Sequence, residues 1–435
     1  MGVVGCILGF LVVIYLCYKD WSVYIASIVG AAVVIAFNVL PFMDTLLDSY
    51  VNGMFVPIKS FFFLLLFGSI QSKIYSESGA AFAIADTIMS KLLRPGASNT
   101  KKNVIAVAVI VAIGIILCMG GINASVFIVL MYPVALTIFE YCDIPKRFIL
   151  GVLAAASYTF TLTMPGSPQV TNVAAMTALG TAADVALVPG LVGAAVEVVV
   201  IIVLMNIYIN KARAKGEHFE LHPLDPHYDK NTPRPNFWIA LIPLVALFVT
   251  FNILKINICV IGSTVLSILL FWKQLKAKNL RELISTGAAD SIHMSLTVAA
   301  ICGFAGVVTN TEAFTTMLNA ITGINMSPML ICAVVVAVMC MLTGGSSTGQ
   351  LISLPLIAPK LLDLGLNVNA IHRIACFAAT TLDSMPYSGA ILMLLPMCRM
   401  KLKEIYPPMF ITTVIATTCG TIAVIVMCAL FPGLC

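Results

Sequence analysis

The residues of this chain that could do chemistry are few, and most stand where glycine and proline interrupt long apolar runs. There are four such interruptions: GGINAS from Gly120 to Ser125, TMPGSPQVTN from Thr163 to Asn172, TGGSSTGQ from Thr343 to Gln350, and TTLDSMPYSGA from Thr380 to Ala390. A proline removes a backbone donor and clashes with the preceding turn, so a helix breaks there. Irregular backbone at membrane depth survives only when it is buried in protein or lines a water-filled cavity. A helix restarting after such a break presents unpaired N–H groups and the positive end of its dipole, which favour an anion, while nearby hydroxyls and amides add donors. That chemistry suits a carboxylate. The competing explanation is structural: small residues let transmembrane helices approach closely, and prolines kink helices without further function. Four breaks at matching places in two halves are harder to explain that way, and such pairs point to a transport site.

Ionisable residues inside apolar segments are costly to bury and so are functional candidates. Asp383, beside Ser384 and Pro386, could take up a proton or help hold a cation. Glu197, within LVGAAVEVVVIIVL, could relay protons or serve only helix packing. Asp290 and His293 read as solvated caps at the start of a span, and Glu77 and Glu312 as cap or interface residues. Arg147 and Arg373 could attract an anion, although Arg147 stands beside Lys146 and reads more simply as a snorkelling anchor. GGSSTGQ has the glycine spacing of a phosphate loop, but Gln350 stands where the lysine belongs, which argues against nucleotide binding. No HExxH or GxSxG supports an enzyme. The thirteen cysteines are scattered, with no CxxC and no histidine cluster, so neither a metal site, another cofactor nor a disulfide framework is indicated.

The elements that must position these residues follow from composition. Of 435 residues, 60% are hydrophobic and 10% charged, with mean hydropathy +1.04; soluble domains carry roughly a quarter charged residues. This excludes a soluble fold, and the net charge of +5 is carried by loop Lys and Arg in the manner that orients helices rather than binds nucleic acid. Apolar runs at about 2–18, 21–42, 54–72, 103–119, 126–139, 148–164 and 186–209 are followed by a polar stretch, and further runs recur at about 237–253, 256–272, 291–309, 327–343, 350–358, 371–382 and 406–431. The first segment has no basic leader and no small-residue cleavage site, so it reads as a transmembrane helix rather than a removable signal.

The expected architecture is an all-α polytopic membrane protein. It comprises a first transmembrane repeat (1–210), an exposed cytoplasmic polar linker (211–236) and a second, inverted transmembrane repeat (237–435), each repeat of about six or seven segments, with discontinuous helices and re-entrant hairpins at a central site. Local matches support the duplication: FGSIQSKIYSESGAAF aligns with CGFAGVVTNTEAFTTM, placing Gly68 opposite Gly303 and Glu77 opposite Glu312, and DIPKRF aligns with NAIHRI through Arg147 and Arg373. The connector holding Lys73, Lys91, Arg94, Lys101 and Lys102 has a counterpart, 310–328, without Lys or Arg, so the two face opposite sides of the membrane by the positive-inside rule. The expected location is the cell inner membrane.

At these motifs the chain resembles the gluconate permease (GntP-type) family of organic-acid:proton symporters, within the wider ion-transporter superfamily. The resemblance covers most of the chain and rests on GVVGCILGFLVVIYLCYKDWSV, GSIQSKIYSESGAA, DIPKRF, TFTLTMPGSPQ, GGSSTGQ and IHRIACFAATTLDSMPYSGAI with the KLKE turn after it. In that family His and Asn usually follow the proline of the last block; here Tyr387 and Ser388 stand there. The resemblance implies alternating-access uptake of gluconate or a related hydroxycarboxylate such as glycerate, lactate or hydroxybutyrate, with a coupling proton or sodium ion. It points to Ser167, Gln169, Thr171 and Asn172 from one half and Asp383, Ser384, Tyr387 and Ser388 from the other, with Asn123, Ser125, Ser346, Ser347 and Thr348 completing the lining. Cation:proton antiport is the alternative, with Asp383 and Glu197 at its centre. The partners implied are a small organic anion, the coupling ion and the lipid bilayer, with a homodimer admitted.

Overall fold

The structure is a computed structural model that describes residues 1–94, 96–119, 124–223, 225, 233–251, 254, 256–276, 278–322 and 326–435. Among these residues every regular element is helical. The first series comprises α1 (Gly2–Tyr18), α2 (Val23–Phe37), α3 (Val51–Glu77), α4 (Ala80–Leu92), α5 (Asn99–Met119), α6 (Ala124–Cys142), α7 (Ile149–Ser157), α8 (Val170–Leu179) and α9 (Leu187–Ala214). The second comprises α10 (Phe237–Phe251), α11 (Ile256–Leu270), α12 (Leu280–Thr309), α13 (Glu312–Thr322), α14 (Pro328–Thr343), α15 (Ser346–Asp363), α16 (Val368–Ala379) and the continuous span α17 (Leu402–Leu430).

Apart from α8, whose place in the second series is taken by the short turns Gly389–Leu392 and Leu395–Cys398, the same succession runs through both series: two helices, a long one, a short one, a pair divided by glycines, a short helix ending in a break, and a long closing span. α7 and α16 have 9 and 12 residues, about 14 and 18 Å at 1.5 Å per residue, well short of the roughly 30 Å hydrocarbon core. Both are too short to span that core alone, and residues of their breaks, Phe160–Thr163 in one and Thr380, Thr381 and Asp383 in the other, are buried. α5, α6, α9, α12 and α17 are each long and apolar enough to cross a bilayer. Large apolar side chains such as Val199, Leu269, Ile116 and Ile422 are exposed on the outside of the bundle, a surface suited to lipid.

α3 and α12 pack along each other at the centre, and glycines permit the approach. A Cβ on Gly53 would lie 2.5 Å from the Cys302 carbonyl oxygen, and one on Gly306 would lie 2.6 Å from that of Ser49. Between transmembrane helices, where lipid is as apolar as leucine, such backbone proximity supplies the attraction.

Three expectations are corrected here. The run expected to begin near 291 begins at Leu280, because Asn279 caps the Glu282 amide; Asp290 and His293 are therefore interior to α12. Asp290 pairs with Lys73 at 3.2 Å, and His293 Nδ1 meets the Tyr24 hydroxyl at 2.9 Å. The polar stretch after residue 210 is not simply an exposed linker: α9 continues to Ala214, buried Lys146 pairs with Asp225, and Arg147 forms a two-pronged ion pair with Glu217 at 2.6 and 2.9 Å. Arg147 is thus occupied by Glu217 and does not line the central cavity. Of the first interruption, Gly120 to Asn123 lies outside the described residues, including the candidate Asn123.

Candidate functional site

The breaks converge on one cavity of about 210 Å³. Three helices begin at its wall. α15 begins there because α14 ends on Gly344 in the left-handed conformation (φ +66°), which allows the Gly345 amide to close on the Cys340 carbonyl at 3.2 Å before the chain restarts at Ser346. No side chain caps the new N-terminus, so the Ser346, Ser347 and Thr348 amides are left to the cavity. α8 begins at Gln169 and Val170, also without a side-chain cap. α6 begins at Ala124 and Ser125, and both line the wall. Helices of 19, 10 and 18 residues thus direct positive dipole ends at one small space.

Hydroxyls and one carboxylate complete the lining. Ser125 and Tyr158 share a hydrogen bond of 2.7 Å, and Gln169 donates to the Cys118 carbonyl at 2.8 Å. Ser384 donates to Asp383 Oδ1 at 2.9 Å, and Ser388 donates to the Gly344 carbonyl at 3.4 Å. Asp383 is the one Asp, Glu, Lys, Arg or His on the wall among the described residues. From α12, Ser295 faces the cavity with its hydroxyl buried and without a hydrogen-bond partner. The cavity is therefore rich in donors, carries a single acid, and has apolar walls from Val56, Leu65, Leu162, Val298 and Met393.

Of the residues expected at the site, Ser125, Gln169, Ser346, Ser347, Thr348, Asp383, Ser384 and Ser388 meet at this wall. Ser167, Thr171, Asn172, Tyr387 and Glu197 do not line it. Ser167 donates to the Thr161 carbonyl at 2.5 Å, Thr171 to that of Leu162, and Asn172 to those of Leu162 and Met164 at 3.0 and 3.2 Å, so these three side chains close their own hairpin. Tyr387 donates to the Met341 carbonyl at 2.7 Å and packs on Phe10. Glu197 is buried between α9 and α17, against Gly420, with neither carboxylate oxygen hydrogen-bonded.

Arg373 has a role the sequence did not suggest. Wholly buried on α16, it donates to the carbonyls of Thr163 (2.6 Å), Ala183 (2.8 Å) and Val185 (2.8 Å) and to Asn172 Oδ1 (3.1 Å). A residue of the second series thereby holds the break of the first. Tyr158 and Ser295 were also missed. A signal for Ser295 existed, since the offset that pairs Gly68 with Gly303 also pairs Ser60 with Ser295; Tyr158 gave none.

Comparison with known proteins places these features. The chain is similar to an uncharacterized transporter, YxjC, of Bacillus subtilis (strain 168), with 24% identity over 430 residues covering 87% of this chain and 88% of that protein. It also bears a likeness to the YdaH transporter of Alcanivorax borkumensis, whose crystal structure is described as revealing an unusual topology: TM-score 0.41, 12% identity, over 90% of this chain and 89% of that one. Residues 1–430 match the family described as GntP family permease. With nearly its whole length matched and its helices suited to a bilayer, the chain belongs to the GntP permease family and is a multi-pass membrane transporter of a small-molecule substrate.

Proposed function

We propose that the chain carries gluconate or a related small hydroxycarboxylate together with a proton or sodium ion, by alternating access across the cell inner membrane. The observation that supports this most is the convergence of the α6, α8 and α15 N-termini on a cavity with one carboxylate, Asp383. Amide N–H groups and dipole ends hold an anion without bringing in a full positive charge. The substrate's hydroxyls find Ser125, Gln169, Ser346, Ser347, Thr348, Ser384 and Ser388 around them. Ser167, Thr171, Asn172 and Tyr387 act behind these, by fixing the hairpins that carry them.

Coupling follows from charge. A substrate carboxylate and an ionised Asp383 in so small a space repel each other strongly, because water there is too scarce to screen them. A proton or a sodium ion on Asp383 removes that repulsion, so anion and cation enter together. Glu197, away from the cavity, is a second carboxyl for proton transfer, reached when the α9–α17 contact loosens. The two series, 1–210 and 237–435, act as inverted repeats that exchange conformations around the site, with 211–236 on the cytoplasmic side.

The test is uptake of labelled gluconate, glycerate, lactate and 3-hydroxybutyrate into proteoliposomes under an inward proton or sodium gradient. Accumulation of at least one acid that collapses when the gradient is dissipated is the expected result. No uptake of any acid, with proton release when sodium is added, would overturn symport in favour of cation:proton antiport.

A further inference from the structure

Beyond the cavity, the same elements line a second, much smaller chamber of about 30 Å³, room for a water molecule or two. On α3 the lining passes from Leu65 to Ser69, on α6 from Ser125 to Val129 and Tyr132, and on α12 from Ser295 to Met294 and Asp290. After the second break it passes from Met393 to Met397 and Arg399. The steps from Leu65 to Ser69, Ser125 to Val129 and Met393 to Met397 are four residues and that from Ser295 to Asp290 is five, each a little over one helical turn, roughly 6 to 7.5 Å. Arg399 also lines a third space, a vestibule of about 510 Å³ bounded by Pro145–Arg147 and Gly216–Pro223. Cavity, chamber and vestibule thus follow one another toward the side that the Lys and Arg distribution assigns to the cytoplasm.

Two groups in the chamber lack a partner among the described residues. The Tyr132 hydroxyl is buried without a hydrogen-bond partner, although buried hydroxyls are nearly always satisfied. Among the described residues, Arg399 pairs with no carboxylate, whereas Lys146 and Arg147, lining the vestibule beside it, are both paired. The chamber's own carboxylate, Asp290, is already neutralised by Lys73 at 3.2 Å. An unpaired guanidinium and an orphan hydroxyl beside a balanced ion pair form a receptor for one more carboxylate.

We propose that this chamber is a second carboxylate subsite on the cytoplasmic exit path, where Arg399 and the Tyr132 hydroxyl take the anion as it leaves the helix N-termini of the cavity. At its present size it admits no substrate, so this conformation is closed to the inside. The thioethers of Met294 and Met397, unbranched and adaptable, are what swings aside to widen it, and the arriving anion competes with Asp290 for Lys73. The inference rests on the carboxylate reading above.

The experiment measures initial rates against concentration for the same four labelled acids in right-side-out and everted membrane vesicles carrying the full chain. Arg399→Gln is expected to raise the half-saturation concentration at least about tenfold from the cytoplasmic face and less than about twofold from the outer face, the size of one lost charge-assisted hydrogen bond. Arg399→Lys keeps the charge and stays within about threefold, and Tyr132→Phe shifts the same face in the same direction by less. An unchanged cytoplasmic value, or an equal shift on both faces, overturns the subsite while leaving carboxylate transport standing. If the unaltered protein carries none of the acids, carboxylate transport fails and the subsite fails with it. Should Arg399→Gln not reach the membrane, Tyr132→Phe, which removes one oxygen from an intact ring, decides by the same criterion.

Discussion

The break Thr163–Asn172 and the break Thr380–Ala390 have similar compositions, rich in Ser, Thr and Pro around a helix end. In the first, Ser167, Thr171 and Asn172 donate to carbonyls of their own hairpin, and Arg373 clamps the outside of it; Gln169 and Val170 are left facing the cavity. In the second, Asp383, Ser384 and Ser388 face the cavity, and the hairpin is held by Tyr387 reaching the Met341 carbonyl. The first break is a braced frame, while the second carries the charge. Two segments alike in composition can therefore divide the labour of a site between rigidity and chemistry, with one helix N-terminus supplied by the first and the ionisable group by the second.

The strongest way to break this comparison is to remove the brace. Arg373→Gln leaves several buried carbonyls without donors and should cost roughly 3 kcal/mol or more of stability, seen as a large fall in Tm in detergent or as loss of monodisperse protein. Arg373→Lys should not rescue it, because a point charge cannot reproduce the planar fork. A stable Arg373→Gln protein that no longer transports would instead place the first break among the residues that handle substrate.

Next comes the charge itself. Asp383→Asn preserves shape and removes the group proposed to carry the cation, so the protein should fold with Tm little changed. Under a tenfold cation gradient, loss of one coupled ion lowers steady-state accumulation of substrate about tenfold, which a filtration assay reads directly. Retained accumulation would move coupling elsewhere, with Glu197 the first place to look. The smallest effect sharpens the boundary of the site. Ser295→Ala removes a buried hydroxyl that has no partner in the protein, so stability should hold or rise slightly, while half-saturation for the transported acid rises about threefold to tenfold. A lower Tm with unchanged half-saturation would show that the hydroxyl serves packing instead.

Much of the fold was legible in the sequence because it is decided locally. Segments of roughly 20 apolar residues mark spans, and Gly344, in the left-handed conformation, marks where a helix stops; proline alone does not, since Pro133 lies inside α6 and Pro355 and Pro359 inside α15. Eight of the expected wall residues, from Ser125 to Ser388, are where the breaks suggested. Illegible were the start of α12, where Asn279 extends the helix through polar Asp290 and His293, and Tyr158 and Ser295, single hydroxyls in apolar runs that look the same whether they face a neighbouring helix or a cavity.

By itself, then, the sequence determined a membrane-embedded helical chain of two similar series, broken where glycine and proline gather with small polar residues, while isolated prolines such as Pro133 and Pro355 are carried within helices. Only the tertiary structure decided which broken hairpin turns its hydroxyls to the cavity and which turns them inward. Within an isolated hairpin a serine can satisfy its own carbonyl or a ligand at comparable local cost. The choice is made by partners far along the chain: Arg373 meets Asn172 across 201 residues of sequence, and by tying Asn172 and the Thr163 carbonyl to the carbonyls of Ala183 and Val185 it fixes that hairpin as the frame and leaves the second to hold the charge.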